Sequence, residues 1–170
     1  VSTTYRGYDV WELPPNGQGI AALQILNVLE QHDIAGMGHN SADFIHLYTE
    51  AKKLAFADRA KFYADPQVEK NLPVAELISK PYAKRQAKRI DMAKAALRVP
   101  AGDPRLAKGD TIYLTVVDKE RNVVSLIQSN YYGFGSGHVP GNVGFVMQNR
   151  GTLFAMDENH HNRLEPNKRP

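Results

Sequence analysis

The residue of this chain with the clearest chemical potential is Thr111. It follows Gly109-Asp110 and opens residues 111–118, a run that begins a strand pattern at once. If the bond between Asp110 and Thr111 were cut, Thr111 would carry both a hydroxyl and a free α-amino group. An α-amine with a pKa of about 8 can act as the base for the hydroxyl beside it. A Thr at the head of a strand is also an ordinary structural residue, so this signal is weak without its surroundings.

Two other features could bind a ligand. The stretch 131–137 holds three glycines, Gly133, Gly135 and Gly137, which could surround a ligand or simply allow the chain to turn. His160 and His161 lie beside two acidic residues at 157–158, but without the spacing of metal ligands. We therefore predict no metal and no cofactor.

The composition fits an ordinary globular domain. The 170 residues are 42% hydrophobic and 23% charged, and no apolar run is long enough to cross a membrane. The absence of Cys excludes disulfides and thiolate chemistry, and it leaves the compartment open between periplasmic, secreted and cytoplasmic. The net charge of +3 is mild. The basic stretch 81–98 has no interleaved aromatic residues beyond Tyr82, so we predict a solvated surface and not a nucleic-acid site.

The first 110 residues are predicted to be mainly helical. A strand over 5–13 is followed by a nearly all-apolar helix over 20–31. A long amphipathic helix begins at a cap on Asn40 or Ser41 and ends at Asp65-Pro66. Two further helices are predicted over 74–79 and 81–97.

Strands are predicted after the junction. Residues 111–118 and 122–129 form a hairpin, residues 143–148 form a third strand, and the chain from 149 onwards is irregular. Helices followed by antiparallel strands predict an α+β fold.

The ordered blocks of this sequence resemble the γ-glutamyltranspeptidase family of N-terminal-nucleophile hydrolases over nearly the whole chain. Before the junction the matching stretches are Tyr5-Arg6-Gly7-Tyr8, Pro14-Pro15 with Gly19, Gln24-Ile25-Leu26-Asn27, Leu29-Glu30, Ser41-Ala42-Asp43, Glu50-Ala51, Lys53, Ala55 and Ala57-Asp58-Arg59. After the junction they are Thr111, Val116-Val117-Asp118-Lys119, Asn122, Phe134-Gly135-Ser136-Gly137 and Pro166-Asn167-Lys168-Arg169-Pro170.

The resemblance implies a precursor that cuts itself between Asp110 and Thr111. Residues 1–110 would end the large subunit and residues 111–170 would begin the small one, both within one αββα sandwich. Thr111 would be the nucleophile, and Ser129 would be the hydroxyl that hydrogen-bonds it. Asn130 and Tyr131 would line the pocket.

Three departures from the family pattern bear on the substrate. Ile112 stands where a second Thr is usual, and Leu153 stands where the family has an acidic residue for the substrate's α-amine. Arg150 replaces a neutral amide, and a guanidinium would favour a carboxylate. The stretch 154–166 is also short, as in lid-less, hydrolase-like members of the family.

The implied activity is hydrolysis of γ-glutamyl amides such as glutathione, favoured over transfer to an acceptor amine. The alternatives are a cephalosporin- or glutaryl-type amide acylase, or a non-catalytic piece that serves only folding or association. The implied partners are the small-molecule substrate and the remaining segments of the same precursor, with a homo-oligomer also open. The chain is expected to be an internal piece of that precursor, with the family's carboxylate-binding Arg upstream of Val1 and its oxyanion hole beyond Pro170. Alone, it is expected to be a poor enzyme.

Overall fold

The computed structural model describes residues 1–97, 99 and 110–170. The chain divides into two compact units. The first, called here the helical unit, comprises residues 1–103 together with 155–170. The second, called the hairpin unit, comprises residues 104–154.

The helical unit opens with a small β-hairpin. Strands β1 (Ser2–Tyr5) and β2 (Tyr8–Trp11) pair antiparallel. Arg6 and Gly7 between them have φ angles of 49° and 89°, as expected for a tight turn that follows the twist of the strands. The predicted strand over 5–13 is therefore confirmed only over Tyr8–Trp11, because the chain reverses at Arg6 and Gly7.

Three helices follow the hairpin. They are α1 (Gly19–Leu29), α2 (Ile34–Met37) and α3 (Ala42–Phe62). Ser41 caps α3, since its side chain accepts a hydrogen bond from the backbone N–H of Phe44 at 3.1 Å. The predicted helix over 20–31 and the predicted Ser41 cap are confirmed, and α2 was not predicted.

The last two helices of this unit are α4 (Val74–Leu77) and α5 (Lys80–Ala87). The predicted helix over 81–97 was wrong in length. Glu50 and Lys53 of α3 bond the backbone of Ala96, through Ala96 N to Glu50 Oε2 at 3.3 Å and Lys53 Nζ to Ala96 O at 2.9 Å. Within residues 88–97, the backbone of Ala96 and the carbonyl of Asp91 therefore bond to side chains of α3, and α5 does not continue.

The core of the helical unit lies between α1, α3, α4 and α5. Its most deeply buried members include Ile20, Leu23, Leu47 and Ala51. Asn27 is also fully buried, and its amide is satisfied by Thr3 Oγ1 at 2.9 Å and by the carbonyl of Ile78 at 2.7 Å. As predicted, α1 is buried over most of its surface.

The hairpin unit contains strands β3 (Asp110–Val117) and β4 (Val123–Tyr131), which pair antiparallel. The predicted hairpin is confirmed within two residues at each end. Asp118 closes its turn by accepting hydrogen bonds from the backbone and side-chain nitrogens of Asn122. These bonds hold the pKa of the Asp118 carboxyl below its usual value.

The predicted third strand over 143–148 was wrong. Gly141 and Gly144 have positive φ angles of 50° and 74°, which an extended strand does not use. Met147 instead bonds back to residues 131–138, called here the glycine-rich loop. Its N–H donates to the carbonyl of His138 at 2.9 Å, and its carbonyl accepts the N–H of Ser136 at 2.8 Å. A short 3-10 helix, Arg150–Leu153, ends the unit.

The fold is α+β as predicted: after the first hairpin, the helices precede the antiparallel strands β3 and β4. Within the described residues, no helix combines the length and the apolar character needed to cross a bilayer.

Candidate active site

Thr111 and Ser129 lie directly opposite one another at the open end of the hairpin. Their hydroxyl oxygens are 2.8 Å apart, which is a hydrogen-bond distance. The side chains of opposite residues in an antiparallel pair point to the same face. The two strands alone therefore bring together the two residues predicted to be catalytic.

Ser129 Oγ also accepts two N–H donors. The backbone N–H of Tyr131 donates at 3.0 Å, and the guanidinium Nη2 of Arg150 donates at 3.1 Å. The hydroxyl beside Thr111 is thus held from three sides. One of the three groups, the guanidinium of Arg150, carries a full positive charge.

Arg150 is positioned by an aromatic ring as well as by Ser129. Its guanidinium carbon lies 4.8 Å from the centre of the Tyr131 ring, a cation–π distance. Tyr131 is only 7% exposed and has a φ of 75°, so its ring is a fixed surface. The structure therefore places a charged guanidinium one hydroxyl group away from the Thr111 oxygen.

A β-bulge lies at the predicted cleavage point. Asp110 pairs with Tyr131 and Thr111 pairs with Ser129, so the register skips Asn130. Bulges re-aim backbone groups and are common beside active sites. The carbonyl of Asn130 accepts the backbone N–H of Asn149 at 3.1 Å. Asn130 therefore belongs to the framework of the site through its backbone, and its side chain as a substrate ligand stays a prediction.

Asn149 is a site residue that the sequence did not indicate. Its Oδ1 accepts the N–H of Tyr132 at 3.0 Å, and its Nδ2 donates to the carbonyls of Tyr132 and Gly135 at 3.2 and 3.0 Å. These bonds join the end of β4, the glycine-rich loop and the start of the 3-10 helix. Asn149 thus holds Arg150 near the hairpin, although its only signal in the sequence was its place next to Arg150.

Gly135 is required by the path of this loop. A Cβ on Gly135 would lie 2.4 Å from the carbonyl oxygen of Met147, closer than atoms can approach. The glycine thus permits a close approach of two backbone segments. The ligand-binding role considered for Gly133, Gly135 and Gly137 stays a prediction.

The face of the hairpin that carries Thr111 continues as a row of hydroxyls. Tyr113 Oη lies 2.9 Å from Ser125 Oγ, and Thr115 Oγ1 donates to Tyr113 Oη at 3.0 Å. The hydrogen bonds from Ser125 and Thr115 lower the pKa of the Tyr113 phenol. Thr115 is therefore a Thr on the same strand and face as Thr111, without an Arg contact among the described interactions.

The sequence also singled out Leu153, Ile112 and His160. Leu153 lies in the 3-10 helix of Arg150, and Ile112 is exposed on the neighbouring position of β3. His160 donates from Nε2 to the carbonyl oxygen of Ala60, 3.0 Å away in the helical unit, while its Nδ1 accepts the backbone N–H of Asn162. Across the described ranges 1–97, 99 and 110–170, no cluster of three potential metal ligands occurs.

Several known proteins are similar to this chain. The chain is 43% identical over 169 residues to the Glutathione hydrolase-like YwrD proenzyme of Bacillus subtilis, covering 99% of this chain and 31% of that protein. It is 42% identical over 134 residues to the Acylase ACY 1 proenzyme of Pseudomonas sp. strain SE83, covering 78% of this chain and 24% of that one. The chain thus spans about a third or less of the length of these relatives.

One solved structure is similar to this chain in both sequence and fold. The cephalosporin acylase from Bacillus halodurans superposes with a TM-score of 0.79 at 41% identity, over 99% of this chain and 30% of that one. The family model described as Gamma-glutamyltranspeptidase matches residues 1–170. Members of that family are enzymes that act on γ-glutamyl or related amide bonds. The chain therefore belongs to the gamma-glutamyltranspeptidase family.

Proposed function

We propose that Thr111 is the nucleophile of an amide hydrolase and that it is freed by a cut of the chain between Asp110 and Thr111. The observation that carries this proposal is the contact of Thr111 Oγ1 with Ser129 Oγ at 2.8 Å. Ser129 is itself held by Arg150 and by the backbone of Tyr131. A nucleophile bonded to a fixed polar partner is the arrangement that covalent catalysis needs.

The cut would use the same hydroxyl as later turnover. Thr111 Oγ attacks the carbonyl carbon of Asp110, the C–N bond breaks, and the Thr111 nitrogen takes the proton from the hydroxyl. The resulting ester is hydrolysed by water. The products are a carboxylate on Asp110 and a free α-amine on Thr111.

Turnover would then proceed through an acyl-enzyme. The free α-amine takes the proton from Thr111 Oγ as the oxygen attacks the substrate amide, and it passes that proton to the leaving amine. Water attacks the ester in the second step, the amine again serving as the base. The carboxylic acid product leaves, and Thr111 is restored.

The charge of Arg150 indicates the kind of acyl group. A guanidinium has five N–H donors, so Arg150 can hold Ser129 and a substrate carboxylate together. We propose γ-glutamyl amides, with glutathione as the first to test, because the acyl part ends in a carboxylate. The name of the Bacillus subtilis relative, glutathione hydrolase-like, supports this class.

A second substrate class is favoured by the lack of acidic residues. Between Thr111 and Phe154 the sequence has only Asp118 and Glu120, both at the far turn of the hairpin. The hairpin unit therefore offers no carboxylate near Thr111 from residues 111–154 for a substrate's α-amine. A glutaryl amide has the terminal carboxylate without that amine, and two of the similar proteins are named as acylases.

Intact mass under denaturing conditions tests the nucleophile. We expect two masses that divide the chain at Asp110–Thr111, and a single uncut mass for Thr111→Ala. Thr115→Ala is the matched control and should be cut like the unmodified chain. Two masses in Thr111→Ala would exclude Thr111 as the nucleophile, and one mass in the unmodified chain would favour the non-catalytic alternative.

A pair of chromogenic amides separates the substrate classes. The parent protein is assayed with γ-glutamyl- and glutaryl-p-nitroanilide, and Arg150→Gln should raise KM for both because both carry a terminal carboxylate. A higher kcat/KM for the glutaryl compound would favour the acylase class. An unchanged KM in Arg150→Gln would remove the carboxylate role.

A further inference from the structure

The last 16 residues of the chain belong to the helical unit, although they follow the junction in the sequence. Residues 155–170, called here the C-terminal segment, group with residues 1–103 and not with the hairpin unit that precedes them. A cut between Asp110 and Thr111 would place these two parts of one compact unit on different polypeptides.

The central contact of the C-terminal segment is an ion pair between the half-exposed Arg169 and a buried carboxylate. Arg169 donates to Asp65 through Nη2 at 2.8 Å, Nε at 2.9 Å and its backbone N–H at 3.2 Å. Asp65 is only 1% exposed, so water does not compete for its oxygens. Two parallel N–H···O bonds fix both the distance and the orientation of the guanidinium.

Other contacts extend this interface along the C-terminal segment. Asn16 Nδ2 donates to the carbonyl of Pro170 at 2.5 Å, and the ring of His160 bonds the carbonyl of Ala60 at 3.0 Å. The carboxylate of Glu69 lies 3.6 Å from His161 Nδ1 and 3.8 Å from a nitrogen of Arg163. The interface therefore reaches the turn between β2 and α1, the end of α3 and the loop after α3.

The C-terminal segment is also braced internally. Lys168 is buried, and its Nζ donates to the carbonyl of His161 at 2.7 Å and lies 3.6 Å from Glu165. Ala155 bonds Asn162 and Leu164 through its backbone at 2.8 and 3.0 Å. A segment that is ordered by its own contacts loses less conformational entropy when it binds.

We infer that the C-terminal segment is the surface that keeps the two products of the cut together, with the Asp65–Arg169 pair as its principal contact. The inference rests on the proposed cut. The partner of the helices is the chain's own second product, recognised by a bidentate guanidinium–carboxylate pair.

The test measures separation of the two pieces in the full chain. After cutting, we dilute the unmodified protein, Asp65→Asn, Arg169→Lys and the control Glu76→Gln, and follow association by native size-exclusion chromatography. Glu76 forms an exposed ion pair with Arg85 in the same unit. We expect both Asp65→Asn and Arg169→Lys to weaken association at least tenfold, with Glu76→Gln unchanged.

Two additions make every result informative. Circular dichroism of each uncut variant shows whether it folds; Arg169→Lys keeps the charge and decides the matter if Asp65→Asn does not fold. A site for a specific protease, inserted between Asp103 and Asp110, produces the cut even if Thr111 does not. Absence of self-cleavage would then count against the proposed function alone. Folded variants whose pieces stay associated like the unmodified protein would overturn the inference.

Discussion

Different forces stabilise the interior of the helical unit and the interior of the hairpin unit. Leu47 in α3 is 0% exposed, whereas Leu114 in β3 is 44% exposed. The helical unit owes its order to buried apolar side chains, with polar groups such as Asn27 fully paired inside. The hairpin unit is ordered by the strand ladder and by the hydrogen bonds around Ser129 and Asn149. The residues proposed for chemistry therefore lie where burial contributes least.

The largest effect should separate the two units by stability. Leu47→Ala should lower the free energy of unfolding by about 2 to 5 kcal/mol, because it leaves a cavity in a closed core. Leu114→Ala removes the same atoms from an exposed position and should cost less than about 1 kcal/mol. Urea unfolding followed by circular dichroism measures both. Equal losses would contradict the difference between the units.

The next effect should appear in the hairpin unit as chemistry without loss of global stability. Asn149→Ala removes three hydrogen bonds that position Arg150 and the glycine-rich loop. We expect self-cleavage to slow roughly 10- to 100-fold, equivalent to about 1.4 to 2.7 kcal/mol in the barrier. The time course of the two masses measures it, with exposed Asn159→Ala as the control. If the melting temperature of Asn149→Ala also falls when its cleavage rate falls, Asn149 supports folding instead.

The smallest effect should be the change in the stability of the helical unit with pH. This unit buries two carboxylates, Asp65 and Asp58, whose pKa values are shifted in opposite directions. Hydrogen bonds from Arg169 hold the pKa of Asp65 far below its usual value. Burial raises the pKa of Asp58, although Tyr82 and Gln24 donate to it. A lowered pKa contributes stability above the unfolded pKa of about 4 and loses it as pH falls. For Asp58 the sign is reversed, and stability falls as pH rises above about 4.

Melting curves between pH 7 and pH 3 test this assignment. The unmodified chain should lose stability on acidification more steeply than Asp65→Asn, by about 1 to 2 kcal/mol over that range, because Arg169 is half exposed and partly screened. Parallel curves for the two proteins would show that Asp65 is not the group responsible.

Much of the fold followed from local sequence signals. The Ser41 cap, the apolar helix α1 and the hairpin of β3 and β4 depend on neighbouring residues, and each was predicted within about two residues. The end of the helix predicted over 81–97 could not be predicted, because Ala96 in its second half bonds the side chains of Glu50 and Lys53. Such a competition between a helix and distant side chains has no local pattern.

The candidate site was predictable in part. The pairing of Thr111 with Ser129 follows from the register of one hairpin, and Arg150 was singled out as a departure from the family pattern. The contact of Arg150 with Ser129 depends on the path of the glycine-rich loop, which is set by Gly135 and Asn149. The sequence did not contain that path in any local form.

The distance between Asp65 and Arg169 along the chain has a consequence for biosynthesis. At about 5 to 20 residues per second, the 104 residues added after Asp65 up to and including Arg169 take roughly 5 to 20 s to synthesise. A β-hairpin forms in about 1 to 10 μs, so the strands on either side of Asn122 can pair long before the helical unit receives its last segment. Under the proposed cut, a chain cleaved before Arg169 is made would leave the first product free to separate from the second, which is still on the ribosome. If the chain is cut as proposed, the order of events on the ribosome decides whether the two products meet.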